Sequence, residues 1–529
     1  MNNRIKSLGL IGFYIFACFI VGCIPEDSLE WSDDGSVGLL RVDEALYLVD
    51  GQTGELTSIA QEDVQPWPDI SSDGGLIAYS REVECDNLSE GLKLLPPGQV
   101  KMIKYNAKRM GEALLDSGHL GMIEKFPEPE DEVLRPEDYK NWAIRYMYEN
   151  ADDELLKILG DEGVKLAREK VLRYFQVVVV SRYNLDDKCI AATNIFGTVA
   201  TQLSPDKQYV AYIMQTQYGQ DKDEYSLYVT SLNGYNMQML EMSHRMLTQQ
   251  GRERELYPLH FKSIDGDNKA MLIDKRVAIG YDWREDSRAI AYLNADTENL
   301  GEDELALGTL QERIIADEEN NLLTEPINLE EEENGSVETY KCTSDVSSLA
   351  GLIYYPWLKV RYGLEGRIFF STCSMPLPMS KRDEPGWSLF CYDSLTGVVT
   401  NVLPSSVSIY TSQAMPMCQF SLSPDGKKVL LPIKKNRLID YEFGTDKVGL
   451  PIFEDEGFGD EEVSALVPTF KGNNEISFLV SGNSHYFSGP EREKTDRYEI
   501  VVLNRDELKG RILSENWPDE IMENFENED

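Results

Sequence analysis

From Trp31 nearly to the C-terminus, short apolar runs alternate with clusters of Ser, Asp, Gly and Pro. The clearest unit is Phe420-Ser-Leu-Ser-Pro-Asp-Gly-Lys-Lys-Val-Leu-Leu431. Pro presets φ, Asp caps its own backbone and Gly accepts φ > 0, so Ser423-Pro-Asp-Gly426 predicts a tight turn that feeds an aliphatic strand. Copies stand at Trp31-Ser-Asp-Asp-Gly35, Ile70-Ser-Ser-Asp-Gly74, Leu203-Ser-Pro-Asp-Lys207 and Asp282-Trp-Arg-Glu-Asp-Ser287. Weaker copies begin at Val360 and Phe470. Each is followed by a second apolar run, such as Leu46 to Val49, Tyr225 to Thr230 or Tyr498 to Leu503. About seven such units are counted, and because one short sheet cannot bury both of its faces alone, they must stack and close radially. The fold class expected is therefore all-β: a β-propeller of about seven blades, with six to eight compatible with the weaker copies.

The period changes once. Residues 86–174 separate the strand that ends the second turn unit from its expected partner, Phe175 to Val180, and they read as a helical insertion within the second blade. Tyr139, Trp142, Ala143, Tyr146 and Met147 fall on one helical face, and Pro136-Glu-Asp138 suits a first turn. Further helices are expected over 152–159 and 162–174, parted by Gly160. The aromatic stripe predicts a packed face rather than a ligand platform.

Charge and the N-terminus add to this picture. The chain has 529 residues with 51 Lys and Arg against 92 Asp and Glu, a formal net charge of -41. Attraction to nucleic acid is thereby disfavoured, and solubility is the simplest reading of the charge. Arg4 and Lys6 precede an apolar run from Leu8 to Val21 that is short for a spanning helix. With Gly22-Cys23 it resembles a bacterial lipobox. That resemblance implies a signal peptide over 1–22 cut between Gly22 and Cys23, lipidation of Cys23, and a lipidated tether over 23–30. It also implies a place in the cell envelope, in the outer membrane if the cell has one. The propeller is then expected over 31–515, with an acidic tail over 516–529. Six cysteines would remain, Cys85, Cys189, Cys342, Cys373, Cys391 and Cys418. Export permits disulfides among them, and buried free thiols are the preferred reading for most.

The Ser-Pro-Asp-Gly-Lys turn before an aliphatic strand resembles the WD-like repeats of TolB-type propellers, periplasmic or surface proteins of bacteria. The resemblance covers most of 31–515 and implies protein partners.

Candidate binding residues come from unequal loops. Connections between the second and third strands of a unit are long at 215–224, 295–308, 374–386 and 481–496, besides the insertion. Turns between the third and fourth strands read as minimal at Gly51 to Gly54, Asn233-Gly234, Leu395 to Gly397 and Gly444 to Asp446. Long loops would crowd one face of the ring, where binding usually lives. That face would carry Tyr218, Asp221, Asp223, Glu302, His485 and Tyr486, with Lys434 and Lys435 in the sixth unit. No catalytic, metal or cofactor site is read. The histidines lack ligand spacing, Asp265-Gly-Asp267-Asn268 lacks the rest of a calcium loop, and Gly482-Asn-Ser-His-Tyr486 is no nucleophile elbow. The function expected is a membrane-tethered scaffold that binds an envelope protein or polymer. The alternative is a hydrolase or lyase that uses carboxylates in the central channel.

Overall fold

The computed structural model describes residues 28–121, 137–217, 224–232, 270–295, 307–315, 337–340, 352–353, 358–374, 386–402, 420–433, 437–443, 453–454, 466–481, 498–505, 509–518 and 521. Among these, seven antiparallel sheets follow one another in sequence as the blades of a propeller. Blade 1 contains β1 (Ser28–Trp31), β2 (Val37–Val42), β3 (Ala45–Asp50) and β4 (Leu56–Ala60). Blade 2 contains β5 (Asp69–Ile70), β6 (Leu76–Cys85), β7 (Leu172–Ser181) and β8 (Asn184–Asn194). Blade 3 contains β9 (Thr198–Leu203), β10 (Tyr209–Gln217), β11 (Glu224–Ser231) and β12 (Met271–Lys275). Blades 4, 5, 6 and 7 start at Asp282–Trp283, Val360–Tyr362, Ser421–Leu422 and Leu466–Lys471. Blade 7 ends at Lys509–Ile512.

The turn motif builds each inner corner by the chemistry its residues predict. In blades 1, 2, 3 and 6, Ser32, Ser71, Ser204 and Ser423 donate from Oγ to the carboxylates of Asp34, Asp73, Asp206 and Asp425 at 2.7–2.8 Å. The same hydroxyls accept the backbone N–H of Val37, Leu76, Tyr209 and Lys428, which start the next strand. Blade 2 therefore uses Ser71 in this role. Gly426 has φ +62°, and its place is taken in blade 3 by Lys207 at φ 60° and in blade 4 by Ser287 at φ 62°. Neighbouring turns are stitched together: Lys207 Nζ lies 2.6 Å from Asp73 Oδ2, and the Asp206 N–H donates to Ser287 Oγ. Although partial burial opposes ionisation of Asp73, the bond and charge of Lys207 and the Gly75 and Ser71 donors hold its pKa at about 2.

An apolar layer fills the space between each pair of neighbouring blades. Along β6, Ile77 and Tyr79 face blade 1, while Leu76 and Ala78 face blade 3. Along β7, Val178 and Val180 take the first side, and Val177 and Val179 the second. A strand buried on both faces needs an unbroken apolar run, which explains why Val177 to Val180 shows no alternation. Each fully buried side chain contributes about 1.5–3 kcal/mol.

The insertion leaves β6 and returns to β7, and the two strands pair over ten positions from Leu76↔Ser181 to Cys85↔Leu172. It forms α1 (Leu88–Leu94), α2 (Pro97–Ser117), α3 (Glu137–Glu149) and α4 (Asp153–Arg168). Helices α1 and α2 are additions to the sequence expectation. Asp153–Arg168 form one kinked element, bent where Gly160 takes φ 55°, and 172–174 join β7, because the long ladder claims them. Trp142, Ala143 and Met147 are buried as their spacing predicts. The sheet begins at Ser28, ahead of the expected boundary at 31. At the other end Trp517 and Ile521 are buried against blade 1, so the propeller extends beyond 515.

The expectation of uniformly minimal outer turns is corrected. Blades 1 and 5 have them, each organised by an aspartate that accepts backbone N–H bonds, Asp50 from Gln52 and Thr53 and Asp393 from Leu395 and Thr396. In blade 3, however, β12 pairs with β11 only at Met271–Lys275, so 232–270 intervene. In blade 4, 315–336 intervene between the third and fourth strands. Asn233-Gly234 offers turn chemistry, but the strand that pairs with β11 is Met271–Lys275; Asn233-Gly234 itself lies outside the described residues, as does Gly444 to Asp446. Among the described residues Cys85, Cys189 and Cys391 are free thiols. Burial pushes the Cys391 thiol up to about 12.

Candidate functional site

The residues singled out from the loops, Tyr218, Asp221, Asp223, Glu302, Lys434, Lys435, His485 and Tyr486, all lie outside the described residues, as do Gly22 and Cys23. The strands that bracket them are described. The segments 218–223, 296–306, 434–436 and 482–497 each join the second strand of a blade to the third.

Two places stand out among the described residues. The first is the channel wall, where Glu30, Asp69, Gln202, Asp282 and Arg361 occupy matching positions on the inner strands, two residues ahead of the turn that follows. A cavity of about 100 Å³ opens there, lined by Glu30, Asp69, Gln202, Tyr281, Lys359 and Arg361 among others. Asp69 Oδ2 accepts the Leu203 N–H of the next blade at 2.7 Å. Asp282 Oδ2 accepts the Tyr362 N–H at 2.7 Å, and its Oδ1 accepts from Gln202 Nε2 at 2.8 Å. Ser421, at the same position in blade 6, accepts the Phe470 N–H through Oγ at 3.3 Å. These polar side chains are inter-blade staples that satisfy the inner-strand N–H of the following blade. Burial, reinforced by the charge of Glu30, pushes the Asp69 carboxyl well above the usual carboxylate range. Burial also raises Asp282, with Arg361 opposing. Two residues by the cavity, Trp67 and Ala200, hold positive φ of 59° and 51°. The Tyr281 hydroxyl donates to the Ala200 carbonyl at 2.5 Å and helps hold that bulged strand in place.

A carboxyl whose folded pKa exceeds its unfolded value binds more protons when folded, so the stability it contributes is present at low pH and is lost as pH rises through the folded pKa. Asp69→Asn keeps an acceptor for the Leu203 N–H and removes the buried charge. The melting temperature of this variant is expected to exceed that of the parent by a few degrees at pH 8 and to match it near pH 4. Equal melting temperatures throughout this range would show that Asp69 carries no such penalty.

The second place is the helical subdomain, which is fastened to the ring. Trp142 Nε1 donates to the Arg173 carbonyl at 2.7 Å, Gln99 Oε1 accepts the Ile195 N–H at 2.9 Å, and Thr193 Oγ1 bonds the Leu94 carbonyl. Asn87 and Asp152 cap α1 and α4. A second core, made by Ala107, Met110, Leu114, Ile144 and Leu159, joins α2, α3 and α4. Of the eight large apolar side chains that are exposed among the described residues, Leu94, Tyr105, Leu115, Leu156, Leu166 and Val171 belong to this insertion. Apolar surface is thus concentrated on the one element that the ring does not need for closure. Below it, between blades 1 and 2, a cleft of about 1000 Å³ carries charges of both signs, with Arg173 paired to Glu82 and Glu84 at 3.2–3.3 Å. Burial, together with the charge of Arg81, lowers the Lys188 ammonium there.

Sequence reasoning missed the channel staples because their partners lie in the next blade. The only signal is the recurrence of Asp69 and Asp282 two places ahead of the turn residues Ser71 and Arg284.

No family model and no curated protein matches the chain. Among solved structures it is similar to a protein assigned as TolB from Agrobacterium tumefaciens, at 12% identity and a TM-score of 0.31, over 62% of this chain and 84% of that one. It is similar to the β-propeller domain of the Trilobed protease from Pyrococcus furiosus at 10% identity and a TM-score of 0.34, over 64% and 75%. It is similar to an oligogalacturonate lyase in complex with manganese at 10% identity and a TM-score of 0.36, over 77% and 74%. From its own sheets, the chain is a seven-bladed β-propeller with a helical subdomain mounted on blade 2.

Proposed function

We propose that the chain is a membrane-tethered propeller at the bacterial cell envelope that serves as a binding scaffold for a protein or polymer partner. The observation that carries this reading is the helical subdomain, packed firmly on blade 2 and bearing most of the exposed large apolar side chains of the described residues. Leu156 and Leu166 on α4 offer apolar contact without being needed for the core. The alternative, a hydrolase or lyase working through channel carboxylates, draws less support: Asp69 and Asp282 already accept backbone N–H bonds, and the cavity beside them has room for a few waters.

The test places a photo-crosslinker at position 166 in the full chain within the intact envelope. A discrete adduct is expected, and it should fall about tenfold with Leu156→Asp, on the scale of an interface anchor, while the melting temperature is unchanged. An adduct insensitive to Leu156→Asp, or none, would sink the scaffold reading. Release of a Cys23→Ser variant into the soluble fraction is the separate test of the tether.

A further inference from the structure

We propose that the exposed face of α2 lies on an anionic lipid bilayer, so that the propeller presents its insertion-bearing face to the membrane. This rests on the tethered reading above and adds to it an orientation and a lipid specificity.

The first observation is charge. Helix α2 spans Pro97–Ser117 and buries Ile103, Ala107, Met110 and Leu114 along one side. Lys101, Lys104 and Lys108 fall at i, i+3 and i+7, and all three are exposed. Tyr105 stands among them at 60% exposure, with the Arg109 guanidinium 5.8 Å from its ring centre. The opposing charges on this helix are Glu112, 3.7 Å from Lys108, and Asp116, both nearer its C-terminal end. Lys104 also reaches over the Tyr146 ring at 5.8 Å. In a chain of net charge -41, a helix face with three exposed lysines around an exposed tyrosine runs against the general field. Basic residues with an interleaved aromatic are the pattern that anionic headgroups attract.

The second observation is topological. Strand β1 starts at Ser28 opposite Arg41 and runs toward the turn at Ser32, so its first residue lies at the end of the blade that carries the β2–β3 turn. That turn and β6 are joined through the linker between blades, where the Val64 N–H donates to the Glu44 carbonyl and the Glu82 N–H to the Asp63 carbonyl. The insertion leaves from the far end of β6, on the same face. Ser28, the first described residue, and the helical subdomain therefore share one side of the ring. From Cys23 to Ser28 the chain can reach at most about 18 Å, so a lipid on Cys23 would hold this side against the bilayer.

The experiment uses the full, processed chain mixed with vesicles of phosphatidylcholine alone or with one third phosphatidylglycerol. Amine labelling is read by mass spectrometry at Lys101, Lys104 and Lys108, with Lys427, exposed in a turn on the opposite face, as the internal standard. Flotation on phosphatidylcholine reports the tether independently of α2. With phosphatidylglycerol, labelling of the three lysines is expected to fall about fivefold relative to Lys427, an effect that 1 M salt reverses by screening. Tyr105 iodination should fall in parallel, and the Lys101→Glu/Lys104→Glu/Lys108→Glu variant should restore it. Equal labelling on the two vesicles, or Tyr105 protection that survives the triple substitution, would overturn the proposal while leaving the tether standing. Protection by a soluble polyanion such as polyglutamate, without any by phosphatidylglycerol vesicles, would equally overturn it.

Discussion

Replacing Trp142 with alanine is expected to cost about 3–5 kcal/mol, the range for deleting a fully buried aromatic. The ring has no solvent exposure and packs among Leu88, Leu95, Leu172 and Tyr174, where α1 and α3 meet blade 2. Its Nε1–H serves the Arg173 carbonyl, which the substitution would leave without that donor. Helix α1 approaches so closely that a Cβ on Gly91 would come within 2.4 Å of the indole, so the helix facing the ring there has no side chain at Gly91 to fill the void. The loss should be local. In hydrogen exchange, helices α1 to α4 should lose protection while the strands of blades 4 to 6 keep theirs, with denaturant titration giving the magnitude. A uniform loss across all blades would contradict a subdomain fastened at this point.

Trp31→Ala should cost a similar amount and strike a different unit. Each blade is built from consecutive strands, so among the described residues no strand is shared across the seam between blade 7 and blade 1. Side chains close the ring there. Trp31 Nε1 donates to Ser477 Oγ at 2.7 Å, and the Lys471 ammonium sits 5.3 Å from the indole centre. Across the same seam Trp517 Nε1 reaches the Gly54 carbonyl at 2.7 Å, and Arg511 bonds the Gly51 carbonyl at 2.6 Å. Around these bonds Leu29, Leu40, Ile500, Val502 and Leu513 form one apolar layer. Removing Trp31 leaves a cavity in the only layer of the ring whose two sides are not consecutive in sequence. Exchange protection should therefore fall first in blades 1 and 7. Because Trp31 and Trp517 share that layer, Trp31→Ala and Trp517→Ala should couple by about 0.5–3 kcal/mol in a double-mutant cycle. Strict additivity would argue against a common seam.

The blades were legible because the chemistry of the turn is local. The Ser423 hydroxyl and the Asp425 carboxylate bond within their own segment, and the pattern can be recognised without knowing what surrounds it. The packed stripe of α3 was legible for the same reason. Helix α2 was not, since Gln99, Asn106 and Gly111 stand on its buried face and dilute the apolar period. The fourth strand of blade 3 was hidden because Asn233-Gly234 suggests an immediate return, whereas pairing resumes at Met271. The channel staples were hidden by distance: Asp69 bonds an N–H 134 residues away, and Asp282 one 80 residues away. Candidate residues chosen from loop length and charge fell in 218–223, 296–306, 434–436 and 482–497, where sequence supplies composition but no partner.

The seam also sets a birth order. Trp31 and Ser477 are separated by 446 positions, so the first blade to leave the ribosome finds its last neighbour only when nearly the whole chain has been made. Bringing two such distant points together in an unstructured chain would cost about 5 kcal/mol of loop-closure entropy. Once blades 2 to 6 have folded in turn, they curve round and deliver the two flanks to each other, and most of that cost disappears. Until then blade 1 carries an open apolar flank, and the nascent protein is adhesive at its leading end for the duration of synthesis.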